Sequence, residues 1–231
     1  MSALARALLA GTRIRRRMGR TPAGLPPYRE LFGPHVPGRS FADVGAMWSV
    51  HGRYSFEAEE EGAARVTAVD GMGRTPEFDA EHARRGSSVR FVQGDVNDPA
   101  TIEAAGVHDV VWSSGVLYHV PSPLLTIERL CSMTGERLLL QSATIPEVPG
   151  LPQACVLYPG LSEGDRRPYA RVFPGAVALE SPFEPDAPYS NWWWGITPSA
   201  LRQMVAVQPG FEVTDVVARP LGTFVAARRS G

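Results

Sequence analysis

The stretch FADVGAMWSVHGRYSFEAEEEGAARVTAVD, residues 41–70, decides the fold. A short apolar run leads to Asp43, and a turn containing Gly45 follows. A helical pattern then ends at Gly62, and a second apolar run ends on Asp70. This order predicts a strand, a tight turn, a helix and a second strand with an acid at its end. In such a unit backbone N–H groups face the turn and the acid can bind two ribose hydroxyls, so the stretch predicts a nucleotide site.

The rest of the chain predicts a doubly wound α/β sheet. From about residue 40 to residue 141, short apolar runs alternate with helical patterns, which is typical of a mostly parallel sheet. Residues 145–195 are rich in proline and glycine and have poor periodicity, so we expect an insertion over the substrate side. The last two predicted strands, 211–218 and 223–228, form a hairpin that adds one antiparallel strand to the sheet.

The N-terminal part precedes the first predicted strand. Residues 2–18 predict an amphipathic helix with a basic end, and residues 19–38 a proline-rich connector with one helical turn. We expect residues 1–38 to form a helical extension or lid on a domain formed by residues 39–231. Two interpretations of the basic helix stay open, namely packing over the domain and contact with RNA. Its arginines follow the apolar patch, unlike the order in a secretory signal.

The composition excludes several classes of function. The chain has 231 residues, 44% hydrophobic and 20% charged, which suits one globular domain, and its net charge of −1 gives no strong field for nucleic acid. All 23 basic residues are arginines, so lysine chemistry is excluded. Cys131 and Cys155 have no metal or redox spacing, and no apolar run reaches membrane-spanning length. We expect a cytoplasmic protein without a bound metal.

Four loops at the carboxyl ends of predicted strands form the candidate site. They are the turn after Asp43, the loops that begin at Asp70 and Asp95, and the segment 113–119. Ligands of doubly wound sheets bind at this edge, near the point where the strand order reverses. The sequence therefore predicts that the four loops line one crevice.

The turn after the first strand disfavours a pyrophosphate. Met47 and Trp48 stand where bare glycine backbone would approach phosphates, and the chain has no P-loop lysine. S-adenosylmethionine carries no phosphate. Its ammonium can be accepted by Asp43 or by turn carbonyls, and its sulfonium is favoured by aromatic faces such as Trp48 or Tyr118. We expect Asp95 to accept a hydrogen bond from the adenine amino group.

These motifs resemble the class I S-adenosylmethionine-dependent methyltransferases. The resemblance rests on D-V-G-A-x-W from Asp43, on G-D-V from Gly94, and on D-V-V-W-S-S-G-V-L-Y-H at 109–119. It is closest to the branch of the tRNA wobble-uridine carboxymethyltransferase, through G-V-L-Y-H followed by S-P-L and through the later N-W-W. It implies a seven-stranded sheet of order 3-2-1-4-5-7-6. It also implies cofactor contacts at Asp43, Gly45, Trp48, Asp70, Asp95, Val96, Ser114 and Tyr118, and the neighbours Ala46, Gly71, Met72 and Ser113 complete the predicted set.

The chain departs from that branch in its cofactor chemistry. The tRNA enzyme uses a carboxylated cofactor held partly by a lysine, and this chain has no lysine. We therefore expect ordinary S-adenosylmethionine and plain methyl transfer. In-line transfer needs mainly positioning, and a base only where the acceptor must lose a proton. His119 is the candidate base, the alternative being a structural histidine bonded to backbone, and Tyr118 either orients a reactant or packs.

The aromatic run near the end of the insertion predicts a substrate wall. Asn191, Trp192, Trp193 and Trp194 are consecutive, and three indoles cannot all face one core. The alternative is that they pack the insertion on the sheet. The favoured function is methylation of a small-molecule acceptor in natural-product metabolism. The alternatives are an RNA-modifying methyl- or carboxymethyltransferase and a non-catalytic cofactor-binding protein.

Overall fold

The computed structural model describes residues 25–172, 182–219 and 221–230. The helix expected over residues 2–18 lies outside this part of the chain. Within it the predicted turn of helix is present as α1, Tyr28–Phe32, which a 3₁₀ turn at Gly33–His35 extends. Among the described helices, none has the length and apolar character that a bilayer crossing requires.

The main sheet has seven strands. They are β1 (Ser40–Val44), β2 (Arg65–Asp70), β3 (Arg90–Gln93), β4 (His108–Ser114), β5 (Thr134–Ser142), β8 (Phe211–Arg219) and β9 (Gly222–Arg229). The order is β3-β2-β1-β4-β5-β9-β8, and all neighbours are parallel except β9, which pairs antiparallel with β5 and with β8. Numbered within the sheet, this is the predicted order 3-2-1-4-5-7-6, so the predicted fold is confirmed.

Helices cover both faces of this sheet. After α1, the described helices on the sheet are α2 (Arg53–Glu60), α3 (Pro76–Arg85), α4 (Pro99–Ala105), α5 (Pro123–Ser132) and α7 (Pro198–Ala206), and the insertion contains α6 (Glu163–Val172). Alternate residues of the central strands point to opposite cores, as a buried parallel sheet requires: Ala42 and Val44 face one core, and Phe41 faces the other. Proline at the first position and a capping side chain, such as Thr75 for α3, fix where α3, α4 and α7 begin.

The turn after β1 is longer than predicted. A helix was expected from about residue 49, but α2 begins at Arg53 because Ser49 and His51 have positive φ angles of 59° and 49°. The Gly52 N–H donates to the Ala46 carbonyl at 2.7 Å and closes the turn. Residues 49–52 are therefore part of the turn at the crevice, where the first turn of the helix was expected.

The insertion after β5 contains a small sheet of its own. Strands β6 (Cys155–Leu157) and β7 (Trp194–Ile196) pair antiparallel. The Trp193 N–H donates to the Tyr118 carbonyl at 2.7 Å, which ties the end of the insertion to the loop after β4. The insertion therefore contacts one of the loops of the candidate site.

Candidate active site

The turn after β1 and the loop after β4 are in close contact. Gly45 has a φ of +88°, and a Cβ added to it would lie 2.4 Å from Val116 Cγ2 and 3.2 Å from the Ser114 carbonyl oxygen. Its N–H donates to the Val69 carbonyl at 2.9 Å. A side chain at this position would push the two loops apart, so glycine is required both for the backbone angle and for the approach.

Asp70 connects the turn after β1 to the loop after β2 through hydrogen bonds of its carboxylate. Its Oδ2 accepts from the Met47 N–H at 2.7 Å, and its Oδ1 accepts from the Met72 N–H at 2.8 Å. A carboxylate has about four lone-pair sites, so each oxygen can accept another hydrogen bond. Partial burial raises the pKa of Asp70. The carboxylate is oriented by backbone and retains the capacity for two ribose hydroxyls.

Asp43 lies beneath the crevice and does not line it. The side chain is fully buried, its Oδ2 accepts from the Ser55 hydroxyl at 2.7 Å, and its Oδ1 has no partner within the described ranges. Burial raises the pKa of this carboxyl to about 7. Asp43 thus links β1 to α2, and the expected direct contact between its carboxylate and a ligand ammonium is not possible in this conformation. Ala46 and Ser113 are equally buried and offer the crevice only backbone.

Met47 and Trp48 point in opposite directions. The Met47 side chain is fully buried in the core beneath the turn, whereas Trp48 is 71% exposed. The expectation that Met47 obstructs a phosphate is therefore wrong, because its side chain packs away from the turn. Trp48 stands at the rim, where its ring is accessible to a ligand. Gly71 and Met72 are also exposed at this edge.

Asp95 has a partner that sequence reasoning missed. Its Oδ1 accepts from the Asn97 N–H at 2.8 Å, and its Oδ2 accepts a hydrogen bond from the Tyr189 hydroxyl. Tyr189 belongs to the insertion, in the 3₁₀ turn Pro188–Ser190. Val96 is buried beside Asp95. The insertion was expected over the substrate side, but no sequence signal singled out this tyrosine.

His119 makes the backbone contact that the sequence left as one of two alternatives. Its Nδ1 lies 2.7 Å from the Asn191 carbonyl oxygen. A carbonyl only accepts, so Nδ1 carries the proton and the neutral ring presents an unprotonated Nε2. Nothing in the described part of the chain forms a hydrogen bond with Nε2. Burial lowers the pKa of His119, which favours the neutral ring near pH 7. The histidine is thus bonded to backbone through Nδ1, and its Nε2 keeps an unprotonated lone pair.

The consecutive indoles have different surroundings. Trp192 is buried and stacks on Tyr118 with ring centroids 4.2 Å apart, whereas Trp193 and Trp194 are partly exposed. Trp194 Nε1 donates to the Pro121 carbonyl at 3.0 Å. Packing thus explains Trp192, whereas Trp193, which meets Phe183 edge-on, and Trp194 keep part of their surface exposed. Burial raises the pKa of Tyr118 to about 12, so its hydroxyl stays protonated.

The side chain of Asn191 is also turned away from the crevice. It is 4% exposed and is hydrogen-bonded inside its own loop, where Oδ1 accepts from the Glu184 N–H at 2.8 Å. The expectation that this side chain contacts substrate is wrong, because the loop itself uses its amide. What Asn191 presents to the site is its carbonyl, which meets His119.

Tyr28 is a second residue that the sequence did not single out. It packs on Trp112 and on Tyr54, each with ring centroids 5.4 Å apart. Its pKa is raised to about 12, first by burial and then by the nearby Tyr54 and Tyr118 hydroxyls. Helix α1 therefore packs a tyrosine of the N-terminal connector against aromatic residues of α2 and β4. The proline-rich composition of the connector concealed this position.

The chain within the described ranges holds no group of three or more His, Cys, Asp or Glu residues that could bind a metal ion. Cys131 is buried and free, and Cys155 is exposed and free. Burial raises the pKa of both thiols, so neither is an activated nucleophile.

Known proteins resemble this chain in part of its sequence and in its fold. Residues 43–134 match a family model described as a methyltransferase domain. A Burkholderia thailandensis 1,6-didemethyltoxoflavin N1-methyltransferase, solved with 1,6-didemethyltoxoflavin and S-adenosylhomocysteine, is 18% identical, with 99% of this chain and 88% of that one covered and a TM-score of 0.59. Magnesium protoporphyrin IX methyltransferase from Synechocystis PCC 6803, with bound S-adenosylhomocysteine, is 16% identical, with 98% and 83% covered and a TM-score of 0.55. No curated protein matches the sequence. Residues 43–134 therefore match a methyltransferase domain, and the two solved structures share the fold of this chain.

Proposed function

We propose that this protein transfers a methyl group from S-adenosylmethionine to a small-molecule acceptor in natural-product metabolism. The observation that carries the proposal is the arrangement of Asp70. Two backbone N–H groups orient this carboxylate at the end of β2, beside the Gly45 turn, and leave lone pairs for a ribose. We further propose that the enzyme is cytoplasmic and needs no metal, and that its methyltransferase domain spans residues 39–231.

The crevice fits S-adenosylmethionine better than a dinucleotide. The carboxylates of Asp70 and Asp95 are suited to the ribose hydroxyls and the adenine amino group, because carboxylates accept from such donors. The exposed face of Trp48 suits a cation such as the sulfonium. No lysine is present to hold a carboxylated cofactor, so the unmodified cofactor is the one proposed.

The chain's own residues supply positioning and a base. When bound, S-adenosylmethionine supplies an electrophilic methyl group on a sulfonium. Partly exposed Trp193 and Trp194 would hold an acceptor near the loop after β4, and alignment of the reactants contributes most of the rate enhancement. His119 Nε2 would take the proton of a hydroxyl or ammonium acceptor, and the Asn191 carbonyl stabilises the proton on Nδ1.

The surroundings of the crevice favour a small acceptor over RNA. Aromatic residues from the insertion, Trp192 among them, form the wall next to Tyr118, and the net charge of the whole chain is −1. A polynucleotide requires many cationic contacts with phosphates, which this balance does not supply. Two proteins of similar fold are methyltransferases of 1,6-didemethyltoxoflavin and of magnesium protoporphyrin IX, both small molecules.

Calorimetric titration with S-adenosylhomocysteine tests the proposal. The wild-type protein should bind, and Asp70→Asn should bind about 10- to 100-fold more weakly, since hydrogen bonds to a charged group contribute about 1.5–3 kcal/mol. Asp79→Asn is the matched control, because Asp79 is an exposed acid of α3 whose partner is Arg74. Absence of binding by the wild type would refute the proposed cofactor. A mass-shift screen with metabolite fractions and labelled S-adenosylmethionine would then identify the acceptor.

A further inference from the structure

We propose that Asn191 is a positioning residue for the reaction, because its side chain folds the loop whose carbonyl fixes the proton of His119. This inference rests on the proposed function, in which His119 Nε2 accepts a proton. It assigns Asn191 a role other than substrate contact. It also explains why a buried asparagine precedes the three tryptophans.

The amide of Asn191 closes an eight-residue loop on itself. Oδ1 accepts from the Glu184 N–H at 2.8 Å, and Nδ2 donates to the carbonyls of Glu184 at 2.8 Å and Ala187 at 3.1 Å. The N–H partner fixes which amide atom is the oxygen, and the two carbonyl partners fix which is the nitrogen. One side chain therefore holds the two ends of the loop together in a single orientation.

The carbonyl of the same residue is aimed at His119. The distance from His119 Nδ1 to the Asn191 oxygen is 2.7 Å although the two residues are 72 positions apart in the chain. The neighbouring contact of Trp193 N–H with the Tyr118 carbonyl holds the loop exit against the same segment. The position of the carbonyl thus depends on the folded loop on one side and on the loop exit on the other.

The chemical consequence is the choice of tautomer. A free neutral imidazole favours the proton on Nε2, which would make that nitrogen a donor and remove its basic lone pair. The Asn191 carbonyl reverses the preference, and the basic lone pair is then on Nε2, which has no hydrogen-bond partner in the described part of the chain. Loss of the loop geometry would restore the mixture of tautomers and lower the fraction of molecules with a competent base.

Long-range ¹H–¹⁵N NMR correlations of the full chain at about pH 8 test this role, because they report which ring nitrogen carries the proton. The His119 signals are assigned by their loss in His119→Gln. The wild type should show a protonated Nδ1 and an unprotonated Nε2. Asn191→Ala should shift a substantial fraction to the tautomer protonated on Nε2. Glu184→Ala should leave the pattern unchanged, since exposed Glu184 offers Asn191 only its backbone.

Two results would overturn the positioning role. One is a wild-type His119 protonated on Nε2, and the other is a folded Asn191→Ala with the wild-type pattern. If Asn191→Ala does not fold, Asn191→Asp serves, because it keeps the oxygen that faces the Glu184 N–H and loses both donated hydrogen bonds. It should shift the tautomer in the same direction, and an unshifted pattern would count against the role. Failure of the proposed function is seen separately, as lack of binding to S-adenosylhomocysteine.

Discussion

The buried carboxyl of Asp43 should make the stability of this protein depend on pH in an unusual direction. Burial raises its pKa from 3.8 to about 7, because the charged form has lost water and the hydrogen bonds from Ser55 compensate only part of that loss. The folded state therefore keeps a proton that the unfolded chain has already released. Stability from this group is full below the unfolded pKa and is lost as the pH rises towards the folded pKa.

The size of the effect follows from the shift. A rise of the pKa from 3.8 to about 7 corresponds to about 4 kcal/mol of unfolding free energy. This contribution is lost at about 1.4 kcal/mol per pH unit between about pH 4 and pH 7. Asp43→Asn removes the titration. Replacing the acid also changes the hydrogen bond with Ser55, but that cost does not vary with pH. The quantity to compare is thus the difference between variant and wild type at each pH.

Urea unfolding of both proteins across this pH range measures that difference. The stability of Asp43→Asn relative to wild type should rise by about 4 kcal/mol from about pH 4 to pH 8. Asp109→Asn is the control of opposite sign, because the Ser40 N–H and hydroxyl hold the pKa of Asp109 below its usual value. Its relative stability should change only at the acidic end. A constant difference for Asp43→Asn across the range would refute the buried, protonated carboxyl.

Two further predictions concern the loops around the crevice. Gly45→Ala should destabilise the protein by about 2–4 kcal/mol in urea unfolding, because the new side chain strains the positive φ and overlaps Val116. Adding Val116→Ala to this variant should recover only the part of the loss that comes from the overlap. Tyr189→Phe should tighten S-adenosylhomocysteine binding by about 2- to 10-fold in calorimetry, because the hydroxyl no longer occupies Asp95; a weaker or unchanged affinity would show that Tyr189 does not compete.

The fold could be predicted because local patterns specified each element. Alternation of buried strands with capped helices from residue 40 to residue 142 leaves few arrangements of a parallel sheet, and the structure has the expected one. The start of α2 was misplaced because positive φ angles at Ser49 and His51 carry no clear sequence signal. Neither residue is glycine, so only the hydrogen bonds of the folded turn reveal the conformation.

The candidate site was predictable at the strand ends and not beyond them. Asp70 and Asp95 follow strands whose register the sheet fixes, so their positions were evident in the sequence. The burial of the Asp43 and Met47 side chains was not evident in the sequence, because the conformation of the turn decides which side chains face the core. Tyr189 and the Asn191 carbonyl reach the site from an insertion with poor periodicity, and tertiary contacts alone bring them there.

The insertion contacts both ends of the proposed site through one short loop. The Tyr189 hydroxyl hydrogen-bonds to Asp95, and the Asn191 carbonyl hydrogen-bonds to His119. Ser190, which lies between these two residues, donates its N–H to the Ala187 carbonyl. If adenine displaces the Tyr189 hydroxyl, the movement is transmitted to a turn that also carries the Asn191 carbonyl. Addition of S-adenosylhomocysteine should therefore shift the His119 ¹⁵N signals of the wild type.

The Tyr189→Phe variant separates this coupling from a direct effect of the ligand. Its His119 signals should already differ before ligand is added, and the further shift on binding should be smaller than in the wild type. Equal shifts in the two proteins would mean that the ligand acts on His119 directly, without the loop. The loop can couple Asp95 to His119 only with the free energy that breaking the Tyr189–Asp95 contact costs the bound ligand. The gain in binding free energy that calorimetry measures for Tyr189→Phe is therefore the upper limit of this coupling.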